Sequence, residues 1–202
     1  MAMPVAAHTS KKPGRPAQVW EGSHTIAGVY HNPMVSYALD AEWYYDKQRI
    51  ALRYWLLGAK WYAAADAFRF AEGYHTGTRK DGTTPEFAHQ VAIASYVRTL
   101  TPHLRHPEES VCVAVLHDVR EDYNVADGEI RSRYGAIVAD AVDAMTKTFR
   151  GQQRNEAAVF AAIAADPVAS VVKAADRINN QQTMVGVFDQ DKAERYMGSC
   201  PW

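Results

Sequence analysis

The chain has 202 residues, 48% of them apolar, and a formal net charge of −1 at pH 7. That length favours one domain with a core of its own, and the composition excludes wholesale disorder. A charge this close to zero gives no broad electrostatic surface for nucleic acid or membrane, so an anionic ligand must be met by a local basic cluster.

Residues 1–38 lack a periodic apolar pattern. Lys11-Lys12-Pro13-Gly14-Arg15-Pro16 cannot sit inside a helix or strand, so this segment is expected to be an extended arm. Gly14-Arg15-Pro16 is similar to the core of minor-groove AT-hook peptides. One match this short reads as a solvated tail, and nucleic acid is not the expected partner. The apolar residues of the arm are interrupted by His8, Lys11 and Lys12, unlike a signal peptide.

From about Asp46 the pattern is helical. Ile50, Tyr54, Leu57, Trp61, Ala65, Phe68 and Ala71 recur at spacings of three and four and predict one apolar face, with Gly58 as a candidate break into two helices. Trp55, Trp61, Tyr62, Phe68 and Phe70 are expected to supply much of the buried area. A polar loop follows from Gly77 to Pro85.

Further helices are predicted near 85–100, 107–120, 127–134, 135–147, 154–165 and 167–183. Pro107 and Pro167 suit first helical turns, and Glu108 and Glu109 suit a helix N-terminus. Cys112, inside the apolar run Val111–Leu116, reads as a small buried hydrophobe. Cys200 stands in the tail, so no disulfide is expected and the compartment should be reducing.

No segment alternates with period two, and none repeats. The expected fold is all-α: a helical bundle over 39–197, an extended N-terminal arm over 1–38 and a short tail over 198–202. No run of about 18 apolar residues is present, so no membrane span is expected. The expected location is the cytoplasm.

The strongest chemical signal is His117-Asp118-Val119-Arg120-Glu121-Asp122, directly after the apolar run. On a continuing helix His117 and Glu121 share one face, and Asp118 and Asp122 share the next. Burying such groups without a partner would cost several kcal/mol, which points to an ion. His89 heads an amphipathic segment. Asp176 interrupts an apolar helical face, with Asn180 one turn on and Thr183 three residues further. His89, His117, Asp118 and Asp176 together make a mixed nitrogen and oxygen set. Such a set suits one Mn²⁺ or a similar borderline divalent ion better than a closed zinc site.

The ordered blocks resemble the hydrolase domain of the RelA/SpoT homologue family, an HD-type helical domain, and especially its stand-alone small alarmone hydrolases. The resemblance rests on His75-Thr76-Gly77-Thr78-Arg79-Lys80-Asp81-Gly82, on Pro85 through His89, on Leu116 through Asp122, on Tyr134 through Lys147 and on Lys173 through Thr183. It implies that His89, His117, Asp118 and Asp176 hold one Mn²⁺. It implies that Glu121 and Asp122 act on the attacking water, and that Arg79, Lys80, Asn180 and Thr183 hold a guanine nucleotide. His75 matches a family histidine and reads as part of the loop structure.

The implied activity is (p)ppGpp 3′-pyrophosphohydrolysis, giving GDP or GTP and pyrophosphate. No synthetase-like domain follows, so hydrolysis without synthesis is expected. Asn179 and Gln182 depart from the family's usual His and Arg, which bears on nucleotide selectivity. Two other readings compete. One is an HD phosphohydrolase acting on NADPH or a pyrophosphorylated tRNA end. The other is a non-catalytic, antitoxin-like binder of a partner alarmone synthetase, against which the intact Glu121–Asp122 pair stands. Oligomeric state has no signature in the sequence.

Overall fold

The computed structural model describes residues 38–184 and 187–198, with side chains from residue 44 onward. The expected arm and tail lie outside the described residues, apart from Ala38 and Gly198, which fall inside helices.

The described chain is helical, in order α1 (Ala38–Gly58), α2 (Tyr62–Tyr74), α3 (Ala88–Leu100), α4 (Pro107–Leu116), α5 (Val119–Tyr123), α6 (Asp127–Tyr134) and α7 (Ala136–Met145). A small antiparallel hairpin, β1 (Thr148–Phe149) and β2 (Gln152–Gln153), precedes α8 (Glu156–Ala165), α9 (Pro167–Thr183) and α10 (Gln190–Gly198). No single helix among the described residues is long and apolar enough to cross a membrane.

Helix α4 is the hub. Every residue from Ser110 to Leu116 is buried, Cys112 among them, and the helix packs against α2, α3, α7 and α9. A helix apolar on all sides has no solvent face to offer, so the others assemble around it. Glu108 stands in the first turn of its own helix, as expected, and also accepts hydrogen bonds from Ala63 N (3.1 Å) and Ala64 N (3.3 Å). It thereby caps α2, whose own N-cap residue, Trp61, contributes no side-chain bond. Helix α9 starts as predicted at Pro167, capped by Asp166, which accepts from Val168 N and Ala169 N at 2.8 Å each.

Three expectations are corrected. On α1 the buried residues are Leu52 and Leu56, whereas Ile50, Tyr54 and Leu57 are exposed. The segment is apolar on more than one side, and packing against α2 and α3 selects the 52/56 stripe. Tyr62 opens α2 pointing outward and is 65% exposed, so it contributes little core. The predicted 107–120 helix stops at Leu116 and restarts as α5, with the break at His117–Asp118.

The hairpin was not legible as a strand pair. Arg150 (φ +50°) and Gly151 (φ +78°) form its two-residue turn, which needs positive φ at both positions. Asparagine usually fills the first of these, so Arg-Gly gave no signal. The turn is held from outside: Arg150 N donates to Asn124 Oδ1 (2.9 Å), and Asn124 itself ends α5 in the left-handed region.

Phe68 is fully buried and meets Phe87 edge-on, with ring centroids 5.0 Å apart. Phe68→Ala is expected to cost about 3–5 kcal/mol, read as a lower midpoint in urea unfolding. An unchanged midpoint would place Phe68 outside the cooperative core.

Candidate active site

The break between α4 and α5 positions the chemistry. It turns the chain where the apolar run ends, so His117 stays buried while Asp118, Glu121 and Asp122 reach a cleft of about 730 Å³. The other walls come from the 78–86 loop, the start of α3 and the second half of α9. All ten predicted site residues line this cleft: Arg79, Lys80, His89, His117, Asp118, Glu121, Asp122, Asp176, Asn180 and Thr183.

At its floor one ligand-competent atom each from His89, His117 and Asp176 lies within 4.8 Å of the other two. His89 Nε2 is 3.2 Å from Asp176 Oδ1 and 3.9 Å from Asp118 Oδ2, and His117 Nε2 is 3.0 Å from Asp118 Oδ2. Donor atoms held at about 2.1 Å by one ion stand about 3.0–3.6 Å apart, depending on geometry, so these separations suit a shared cation.

Tautomers strengthen the case. His117 Nδ1 is 3.0 Å from the Ala114 carbonyl oxygen, which only accepts, so Nδ1 carries the proton. Nε2 is then left buried, with no partner aligned for a hydrogen bond. His89 Nδ1 is likewise engaged, donating to Asn179 Oδ1 at 2.7 Å. Two nitrogen lone pairs and two carboxylates therefore face one another, an arrangement that a cation resolves.

Without a metal ion, a proton takes that role. Burial works against the His117 imidazolium, but Asp118 and then Asp176 overcome it and raise His117 to about 9. Burial likewise opposes the Asp118 carboxylate, and the His117 charge holds it down at about 2. Asp176 stays well below the usual carboxylate range despite burial, through its contacts with His89 and Lys173.

Residues missed in the sequence support this set. Lys173 Nζ donates to Asp176 Oδ2 (2.7 Å), and Gln90 Nε2 donates to Asp118 Oδ2 (3.3 Å). Asn179 orients His89. The i, i+3 spacing of Lys173, Asp176 and Asn179 on one helix was the available signal. Asn180, predicted to hold nucleotide, donates to Asp176 Oδ1 (2.6 Å), and Thr183 Oγ1 donates to the Asn179 carbonyl (2.9 Å). Asn179→Ala is expected to weaken divalent-cation affinity about 10–100-fold, measured by titration with Mn²⁺ as the probe ion, because His89 loses its orienting partner. An unchanged affinity would remove Asn179 from the support.

Glu121 Oε2 accepts from Lys147 N (2.8 Å), which ties α5 to the segment leading into the hairpin. Asp122 faces the cleft with a raised carboxyl, about 6, pushed up by burial and then by Asp118, Glu121 and Glu86. On the far wall Asp81 shapes the basic loop. It accepts from Thr83 N, Thr84 N and Thr84 Oγ1, so the chain turns through Gly82 (φ +72°) and leaves Arg79 and Lys80 at the cleft.

Comparison with known proteins fits this geometry. The HD domain family matches residues 67–198, which include all ten residues. The chain is 34% identical over 133 residues to the guanosine-3′,5′-bis(diphosphate) 3′-pyrophosphohydrolase of Haemophilus influenzae, covering 62% of this chain and 19% of that protein. It is 33% identical over 126 residues to the probable guanosine-3′,5′-bis(diphosphate) 3′-pyrophosphohydrolase of Synechocystis sp., covering 58% and 16%. It is 29% identical over 124 residues to the GTP pyrophosphokinase of Streptomyces antibioticus, covering 58% and 14%. The matches thus span less than a fifth of each of these relatives.

Proposed function

The chain belongs to the HD domain family and is homologous over that region to the RelA/SpoT-type pyrophosphohydrolases, and on that premise we propose that it hydrolyses (p)ppGpp at the 3′ position, with Mn²⁺. The observation that carries the reading is the buried trio His89, His117 and Asp176, with the half-buried Asp118 beside them, at the floor of a cleft that Arg79, Lys80 and Lys147 also line. The hydrolase domain is taken as 39–197 and its compartment as the cytoplasm.

In this reading the four residues would hold one divalent ion, which would supply Lewis acidity and lower the pKa of water toward neutrality. Asp122 lines the same cleft, with a proton affinity suited to a general base, and takes the proton from the attacking water. Glu121, fixed by Lys147 N, orients that water. A bond forms between the water oxygen and phosphorus, and the bond from phosphorus to the 3′-oxygen breaks. The 3′-oxygen leaves with a proton from solvent, yielding GDP or GTP and pyrophosphate.

Arg79, Lys80 and Lys147 line the cleft and offset the negative charge of the phosphates. The guanidinium of Arg79 also suits stacking on a base, whereas the lysines act as point charges. Asn180 and Thr183, on the α9 wall of the cleft, are left for the nucleoside. An alarmone synthetase is a fitting functional counterpart, since it makes the substrate this site would consume.

The test is incubation of purified protein with ppGpp, with and without Mn²⁺, scoring pyrophosphate, alongside NADPH under the same conditions. Mn²⁺-dependent release from ppGpp is the expected result. No release with Mn²⁺ present overturns the reading, and turnover of NADPH alone transfers it to the other substrate.

A further inference from the structure

A second cluster of the same chemical kind lies beside the first. His75, just past the end of α2, Glu86 ahead of α3, and Asp122 on α5 each bring one ligand-competent atom within 4.8 Å of the other two. His75, read from sequence as part of the loop structure, is 4% exposed. Its Nδ1 is 2.9 Å from the Ala71 carbonyl oxygen, which only accepts, so Nδ1 bears the proton and Nε2 keeps its lone pair. Nε2 is buried without a hydrogen-bond partner.

An unpaired buried acceptor is costly, and here the neighbours are carboxylates, which are acceptors too. A proton is a poor remedy, because burial lowers the basicity of His75. A metal ion satisfies all three groups at once.

One of the two acids of this cluster, Glu86, is also held in place. Glu86 Oε2 accepts from Tyr123 Oη (2.7 Å) and Gly77 N (3.3 Å), which leaves Oε1 available. The Tyr123 ring stands edge-on to His75, with centroids 4.9 Å apart. A Cβ on Gly77 would approach Glu86 Oε2 to 3.2 Å, so the glycine lets the carboxylate close in. Glu86 and Asp122 both line the cleft, so an ion here would be open to phosphate oxygens or water.

We propose that His75, Glu86 and Asp122 form a second divalent-cation site adjoining the first and open to the same cleft. One nitrogen and two carboxylates suit a borderline ion such as Mn²⁺ better than Mg²⁺, which favours oxygen and water. One oxygen of Asp122 binds the ion, and the other remains free to accept a proton. Two cations would also balance the charge of Glu86, Asp118, Glu121 and Asp122, which crowd one end of the cleft.

The test counts ions and does not depend on the substrate. Full-length protein is stripped with a chelator, dialysed against rising Mn²⁺ and assayed for bound metal, with free Mn²⁺ followed by electron paramagnetic resonance. The wild type is expected to bind two Mn²⁺ per chain. Glu86→Gln preserves shape and the Tyr123 contact, and should weaken one of the two by about 100-fold or more while the other stays tight. His75→Gln, checked for native helicity by circular dichroism, should do the same. His89→Ala should remove the other ion and spare this one. A single Mn²⁺ per wild-type chain at saturation overturns the proposal, as does undiminished binding of two ions by Glu86→Gln. Absence of ppGpp hydrolysis would instead count against the proposed activity.

Discussion

His117→Ala is expected to lower Mn²⁺-dependent pyrophosphate release from ppGpp about a thousandfold or more. The ring is buried at the turn between α4 and α5, and the alanine variant removes the nitrogen that meets Asp118 at 3.0 Å. A bound ion supplies several kcal/mol of transition-state stabilisation, and about 4 kcal/mol corresponds to about a thousandfold. The pH dependence offers a second readout on the wild type. With no metal ion His117 titrates at about 9, above its ordinary value of 6.5, so at neutral pH it is charged and an incoming ion must displace its proton.

Mn²⁺ affinity should therefore rise about tenfold per pH unit toward pH 9 and level off above. Near pH 7.5 about one proton should be released per ion bound at this site, measured by calorimetry in buffers of different ionisation enthalpy. In the metal-free protein the sign is opposite. A raised folded pKa stabilises, so this pair contributes fully below about pH 6.5 and its contribution is lost as pH rises through 9. Binding without proton release, or an alanine variant with near-normal turnover, would remove His117 from the centre.

Asp122→Asn is the second large effect, and it should separate activity from stability. Turnover is expected to fall about 10²–10⁴-fold, the usual contribution of a positioned general base. An ion at the proposed His89, His117, Asp118 and Asp176 site should still bind. Yet the metal-free protein should become more stable at pH 7.5. The carboxyl titrates at about 6 in the folded chain against an ordinary 3.8, so its charge opposes folding above pH 6 and ceases to do so below about 4.

Because Asp122 faces the cleft, solvent screening reduces the effect to about 1 kcal/mol, or about 2–4 °C in melting temperature. The gain should vanish at pH 4. Lower stability of the asparagine variant at pH 7.5 would show that Asp122 is stabilised where it stands, not crowded by its acidic neighbours.

The fold and the floor of the site were legible for related reasons. Val111 to Leu116 is apolar on every side, and such a run can only be a core element, so the polar residues after it had to emerge somewhere consequential. Asp176 was conspicuous because an acid in an apolar face needs a partner, and it has three: Lys173, His89 and Asn180. Less was readable where a residue's neighbour comes from far along the chain. The link from Asn179 to His89 spans 90 residues and that from Gln90 to Asp118 spans 28, and neither leaves a local pattern. The exposed side of α1 was misread because Tyr54 and Leu57 are apolar by type while packing chose Leu52 and Leu56. His75 was passed over because its significance lies in an unpaired nitrogen, which composition does not display.

Helix α9 is a single rod from Pro167 to Thr183, and its cleft-lining residues Lys173, Asp176, Asn179, Asn180 and Thr183 fall along one strip. A rise of about 1.5 Å per residue sets Thr183 about 10 Å beyond Asp176 along the axis. The rod is therefore a gauge with two fixed marks. A ligand that touches both has to span about that distance, as a nucleotide with a trailing diphosphate does and inorganic pyrophosphate does not.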